Sequence, residues 1–99
     1  MKRFLLGVAA ITLTSGCATT LDPGADKVRI VTAQQKERCE SLGVLSVEQR
    51  TGPNKPGNAM NKALNEVVKR GGNGLYVVSS STDWAEGASV TGEAMRCTS

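Results

Sequence analysis

One stretch of this chain repeats its apolar residues with a helical period, and β-branched runs flank it on both sides. Met60, Ala63, Leu64, Val67 and Val68 fall at i, i+3, i+4, i+7 and i+8, a spacing that only a helix gathers onto one face. The pattern predicts a helix over 58–70, with Asn58 as N-cap and the preceding Pro56-Gly57 outside it. Lys69 and Arg70 complement the negative end of the helix dipole, and Gly71-Gly72 end the helix. A single amphipathic helix cannot cover its own stripe, so strands must form the opposing layer.

The rest of the chain supplies them. Residues 28–32 (Val-Arg-Ile-Val-Thr) read as a first strand, and 33–38 as a turn or one helical turn. Residues 40–50 read as a second strand, with Leu42, Val44 and Ser46 on one face and Gly43, Leu45 and Val47 on the other. Apolar residues on both faces imply a strand covered on both sides or interrupted by a bulge at Gly43. Two prolines and two glycines within 51–57 predict a loop. A third strand over 75–80 follows the turn 71–74, a loop over 82–88 carries the only tryptophan, Trp84, and a last strand spans 89–97. In that strand Val90, Gly92 and Ala94 alternate against Thr91, Glu93 and Met95. The expected fold is α+β, in the order β-β-α-β-β, with one amphipathic helix packed on a small, largely antiparallel sheet.

The N-terminus belongs to a different kind of segment. Met1-Lys2-Arg3 is positive, residues 4–13 are mostly apolar, and Thr14-Ser15-Gly16 leads small residues up to Cys17. This is the layout of a secretory signal, and its apolar run is too short for a permanent membrane span. Loss of residues 1–16 leaves 83 of the 99, enough for one small domain. Lys2 and Arg3 leave with the signal, so ten of the twelve basic residues face nine acidic ones. That near-neutral balance gives no electrostatic case for a nucleic-acid partner.

The tract Leu13-Thr14-Ser15-Gly16-Cys17 resembles the lipobox of bacterial lipoproteins, although Thr14 occupies the place where leucine is usual. The resemblance implies cleavage before Cys17 and acylation of its thiol, with several chains giving stable attachment to a membrane. In such lipoproteins an aspartate after the cysteine favours the inner membrane. Ala18 therefore implies the periplasmic face of the outer membrane. An ordinary signal-peptidase cut after Ala18, with Gly16 and Ala18 in the small-residue subsites, is the competing reading. It would release a soluble periplasmic protein. The chain thus divides into a signal (1–16), a lipid anchor with a short polar tether (17–26) and one α+β domain (27–99). The tether is too short to carry the domain away from its membrane.

With Cys17 assigned to lipid, Cys39 and Cys97 remain, and in an oxidising compartment they are expected to form a disulfide. A zinc site is the alternative, but the chain has no histidine, and neither cysteine has another close by in sequence. Without histidine the usual base and proton shuttle at neutral pH is also missing. Ser79-Ser80-Ser81-Thr82 offers hydroxyls with no activating partner marked, and Gly71-Gly72-Asn73-Gly74 follows a helix rather than opening one, unlike a phosphate loop. Asp83 and Glu86 flank Trp84, which serves either as a core residue or as an exposed contact for a partner. Two carboxylates are too few for calcium. Lys55, Lys62, Lys69 and Arg70 are expected to be solvated on or near the helix's polar face. No catalytic residue, metal site or cofactor is expected.

The order of these segments is similar to that of a family of small proteobacterial envelope lipoproteins of unknown function. The likeness is carried by residues 27–32 (Lys-Val-Arg-Ile-Val-Thr), 39–43 (Cys-Glu-Ser-Leu-Gly), Met60, Ala63, Leu64, Asn65, the 71–73 turn, Gly92 and Cys97. In layout it also resembles the periplasmic domain of the Rcs envelope-stress sensor lipoprotein, which has two disulfides where this chain has cysteines for one. YbjQ-type domains, sometimes labelled heavy-metal binding, share the helix-Gly-x-Asn-strand pattern, but no ligand set accompanies it here. The expected role is a non-catalytic interaction or envelope-sensing module, contacting envelope proteins or peptidoglycan-associated machinery through an uncovered sheet face or an unpaired edge strand. The two-sided apolar pattern of Leu42 to Val47 motivates it. The alternative is a soluble periplasmic protein that binds a small molecule or hydrolyses one with Asp83 and Glu86.

Overall fold

The computed structural model describes residues 19–83 and 85–98. The elements are β1 (Arg29–Ile30), β2 (Cys39–Gln49), α1 (Lys55–Lys69), β3 (Gly74–Asp83) and β4 (Gly87–Cys97), with short 3-10 turns at Ala25–Lys27 and Gln35–Arg38. The strands form one sheet in the order β1-β3-β4-β2. Return of the chain along α1 makes β2 and β3 run the same way, and β4 lies between them as the antiparallel partner of both. β1 adds parallel to β3 through Arg29↔Gly74 and Ile30↔Leu75. One helix on a four-stranded, mostly antiparallel sheet is the α+β class expected from the patterning.

Several boundaries differ from the sequence reading, each for a local reason. The helix starts at Lys55, not after Asn58, and takes Pro56 and Gly57 into its first turn. Asn54 is the cap: its Oδ1 accepts from Gly57 N at 3.3 Å and its carbonyl from Asn58 N at 3.0 Å. Proline is tolerated there because first-turn N–H groups lack intrahelical acceptors anyway. At the other end Gly72 N bonds Val67 O and Gly71 N bonds Val68 O, both at 2.9 Å, the paired bonds of a Schellman stop. The first strand is only two residues long. After Val31 N bonds Leu75 O, the chain turns away, because Thr32 and Gln35 exchange hydrogen bonds (Thr32 N to Gln35 Oε1, 3.0 Å; Gln35 N to Thr32 Oγ1, 3.2 Å). This reciprocal box opens the 3-10 turn over Gln35–Arg38. The expected 82–88 loop shrinks to a tight turn, since β3 runs to Asp83 and β4 starts at Gly87. Gly87 has φ +100°, and a Cβ there would lie 2.4 Å from the Gln49 carbonyl oxygen.

The two-sided apolar pattern of the second strand resolves into a bulge. Ser41 faces Met95 and Val44 faces Glu93, so Leu42 and Gly43 together oppose Ala94. Gly43 takes φ +102° to absorb the extra residue. The bulge turns Leu42 toward the helix side and sends Val44 to the other face, so these two residues do not share a face. Leu42 and Val47 pack against the core around Leu45, whereas Val44 is 66% exposed. A second shift, between Val77 and Ser79, leaves Val78 unpaired in register and exposed.

The core lies between α1 and the sheet. Ala59, Ala63 and Val67 form the buried line of the helix and meet Leu45, Leu75, Ala88, Val90 and Ala94, with Met60, Leu64 and Val77 at the margin. Many of these side chains are alanine, and the largest fully buried ones are Leu75, Met95 and Val67. A core this thin releases little apolar area from water. Cys39 and Cys97, facing each other across β2 and β4, are joined by a disulfide.

Candidate functional site

The sheet face away from α1 gathers most of the polar side chains. The segment after β1 crosses one end of it, and there Lys36 Nζ lies 3.0 Å from Glu93 Oε1 and 4.5 Å from the centre of the Tyr76 ring. Ser41 Oγ donates to the other carboxylate oxygen, Oε2, and accepts from Gly43 N. The Ser41 hydrogen bond, followed by the Lys36 hydrogen bond, holds the Glu93 carboxyl below its ordinary value of 4.5 against a smaller opposing effect of desolvation. Both oxygens are engaged and the group is held as an anion, so it acts as a strut between the 3-10 turn and the sheet. It is poorly suited to general-acid chemistry.

This arrangement has a pH consequence. Because the folded-state pKa is depressed, the contribution of Glu93 to stability is present above 4.5 and is lost as pH falls through the lower folded value. In acid unfolding titrations, Glu93→Gln is therefore expected to show a shallower fall in stability below about pH 4.5 than the unmodified protein. Equal slopes would contradict the strut.

Beyond Glu93 the face carries hydroxyls. Ser46 and Thr91 lie 3.2 Å apart and Ser81 and Ser89 2.8 Å apart, as cross-strand pairs bonded to one another. The serine run noted in the sequence therefore lies along an exposed strand, and one of its members, Ser81, ties it to β4 through Ser89, while the Ser46–Thr91 pair joins β2 to β4. Asp83 Oδ1 accepts from Ala85 N at 2.8 Å and shapes the β3–β4 turn, while Glu86 stands exposed beside it. Cys17 and Trp84 lie outside the described residues. Among the described residues no three acids or cysteines group as a metal site, and no described helix is long and apolar enough to cross a membrane.

The cations expected to be merely solvated include two that are put to use. Arg70 pairs with Glu66 one turn back and also sends Nη1 to the carbonyls of Val44 (3.1 Å) and Leu42 (3.4 Å). Lys62 Nζ donates to the Glu48 carbonyl at 2.6 Å. These helix side chains occupy carbonyls along the outer edge of β2. The other edge differs: from Tyr76 to Asp83 no backbone hydrogen bond joins the outer side of β3 to another described segment. Among the described residues, one edge of the sheet is thus closed by cations and the other is open from Tyr76 to Asp83.

At the disulfide end a cleft of about 670 Å³ is lined by Arg29, Ile30, Val31, Gln35, Arg38, Asn73 and both bridged cysteines. Among the described residues neither arginine enters an ion pair, so the cleft presents two guanidinium groups suited to an anionic oxygen group. Sequence inspection missed this cleft because the arginines stand nine positions apart and only the turn between them brings them to one opening. It read Asn58 as the helix N-cap and Asn65 only as part of the family likeness, and gave Asn61 no role. It missed that the three share one side of the helix, although their spacing of three and then four residues was the available signal. No family model, curated protein or solved structure matches the chain.

Proposed function

We propose that the mature chain is a lipid-anchored envelope protein on the periplasmic face of the outer membrane, acting as a non-catalytic interaction module. Its ligand is an extended segment of another envelope protein, added as a strand along β3. The observation that carries this reading is the asymmetry of the sheet edges: Arg70 and Lys62 occupy the β2 edge, while the outer side of Tyr76–Asp83 is unpaired among the described residues and the segment is mostly exposed. Unpaired strand edges are the usual template for peptide addition, with main-chain hydrogen bonds supplying affinity. The export tract ending at Cys17 supports the anchor.

Two measurements test the two halves of the reading. The intact mass of protein taken from membranes should equal residues 17–99 plus acyl groups; an unacylated chain starting at Thr19 would remove the anchor. A photo-crosslinking residue at Ser80 should capture a discrete partner in cells, and one at Glu48 on the closed edge should not. Loss of the Ser80 product in a Val78→Lys background would place the contact on the backbone edge. Equal capture from both edges would refute strand addition at β3.

The arginine-lined cleft favours one second reading, binding of a small anionic molecule at the disulfide end. Saturable protection of Arg29 and Arg38 from guanidinium-modifying reagents by a dicarboxylate would support it, and unchanged modification would count against it.

A further inference from the structure

The residues that follow Cys17 are bound to the helix side by side-chain amides. Asn58 Oδ1 accepts from Thr19 N at 2.7 Å, and Asn61 Nδ2 donates to Thr19 O at 2.9 Å. Asn65 uses both ends of its amide, donating from Nδ2 to Thr20 O at 2.8 Å and accepting at Oδ1 from Asp22 N at 2.7 Å. Asn58 and Asn65 are buried at 7% and 8% exposure. An asparagine amide carries a donor and an acceptor, as a peptide group does. Three of them along one side of α1 therefore treat the incoming chain much as a neighbouring strand would. The segment runs in the direction of the helix, with Thr19 at its first turn and Asp22 two turns further on.

Only Ala18 separates Thr19 from Cys17, so the Cys17 Cα lies within about 7 Å of the Thr19 Cα. The clamped end is the one where β2 finishes and β3 turns into β4, since Gln49 pairs with Ala88 and Asp83 with Gly87. The disulfide and the arginine cleft stand at the opposite end of β4, whose 11 residues span about 35 Å. We propose that the Asn58–Asn61–Asn65 clamp fixes the domain's orientation on a phospholipid bilayer. The β3–β4 turn and the start of α1 face the headgroups, and the disulfide end projects away from the membrane. This inference rests on the reading of Cys17 as the acylated residue. A loose tether reaching to Asp26 would let the domain tumble over the surface; the clamp shortens the connection to the residues before Thr19.

The test uses the full processed protein in vesicles of phosphatidylethanolamine and phosphatidylglycerol, some carrying a headgroup-attached fluorescence quencher. A fluorescent amino acid is placed at Glu86, near the membrane end, or at Gln34, near the disulfide end. Glu86 is expected to be quenched and Gln34 not. The Asn61→Ala, Asn65→Ala double variant should narrow that difference, and the Asp22 amide, which then lacks its acceptor Asn65 Oδ1, should exchange with solvent about tenfold faster. Protein that floats with vesicles but shows equal quenching at both sites would overturn the orientation, as would unprotected Thr19 and Asp22 amides in the unmodified protein. Either result leaves the lipid anchor standing. Protein that stays in solution and whose mass lacks acyl groups would overturn the anchor and, with it, the inference. Retention of the Cys39–Cys97 bridge and of α1 helicity in the double variant separates loss of the clamp from loss of the fold.

Discussion

Replacement of Cys39 and Cys97 by serine together is expected to lower the unfolding free energy by about 4 kcal/mol. The two cysteines are 58 residues apart in sequence, so the bridge removes a long loop's worth of freedom from the unfolded chain. A small domain has about 5 to 15 kcal/mol in all, and this one has an alanine-rich core with Tyr76 as its only described aromatic. The bridge also holds the far ends of β2 and β4, next to the bulge at Gly43, where the ladder is already interrupted. Urea unfolding of the oxidised protein and the double variant checks this directly. The midpoint should fall, and the denaturant slope should rise as the uncrosslinked unfolded chain exposes more surface. A loss below about 1 kcal/mol would show that the unfolded chain keeps those strands together without the bond.

Leu75→Ala is expected to cost about 2 to 5 kcal/mol, the range for emptying a fully buried leucine site. Leu75 is completely buried in β3, with Ala94 beside it on β4 and Ile30 on β1, beneath the helix line that ends at Val67. Ala94 is too short to reach into the space and Ile30 stands 55% exposed on the two-residue edge strand, so the cavity term should be large. Val78→Ala is the matched control. It removes apolar atoms from the same strand, but Val78 is 59% exposed at a bulge, and the change should stay within about 0.5 kcal/mol. Comparable losses at both positions would mean that the core does not lie where the structure puts it.

The main outline was legible from residue patterns. The helical stripe around Ala63 and Val67, the alternation along the last strand and the mixed faces near Gly43 each carry a local period or an interruption of one. Helix ends were less legible, because a proline and a glycine in the first turn look like a loop until Asn54 is seen to cap them. Strand β1 was over-read because Val31 and Thr32 have strand propensity, while the Thr32–Gln35 box wins the backbone for a turn. Propensity is a property of single residues; these exchanges of hydrogen bonds depend on pairs.

The candidate surfaces follow the same division. The amino-acid order by itself determined one amphipathic helix, strands on both sides of it and a pair of cysteines left for each other, and it carries the pattern on which the proposed signal before Cys17 rests. Those features are local, or follow from composition and compartment chemistry. Only the tertiary structure decided that β4 lies between β2 and β3, which edge Arg70 and Lys62 close, that Glu93 meets Lys36 across 57 positions, and that Asn58, Asn61 and Asn65 hold residues 19–22. Each of those depends on segments remote in sequence arriving at one place, and nothing in a one-dimensional pattern fixes that distance.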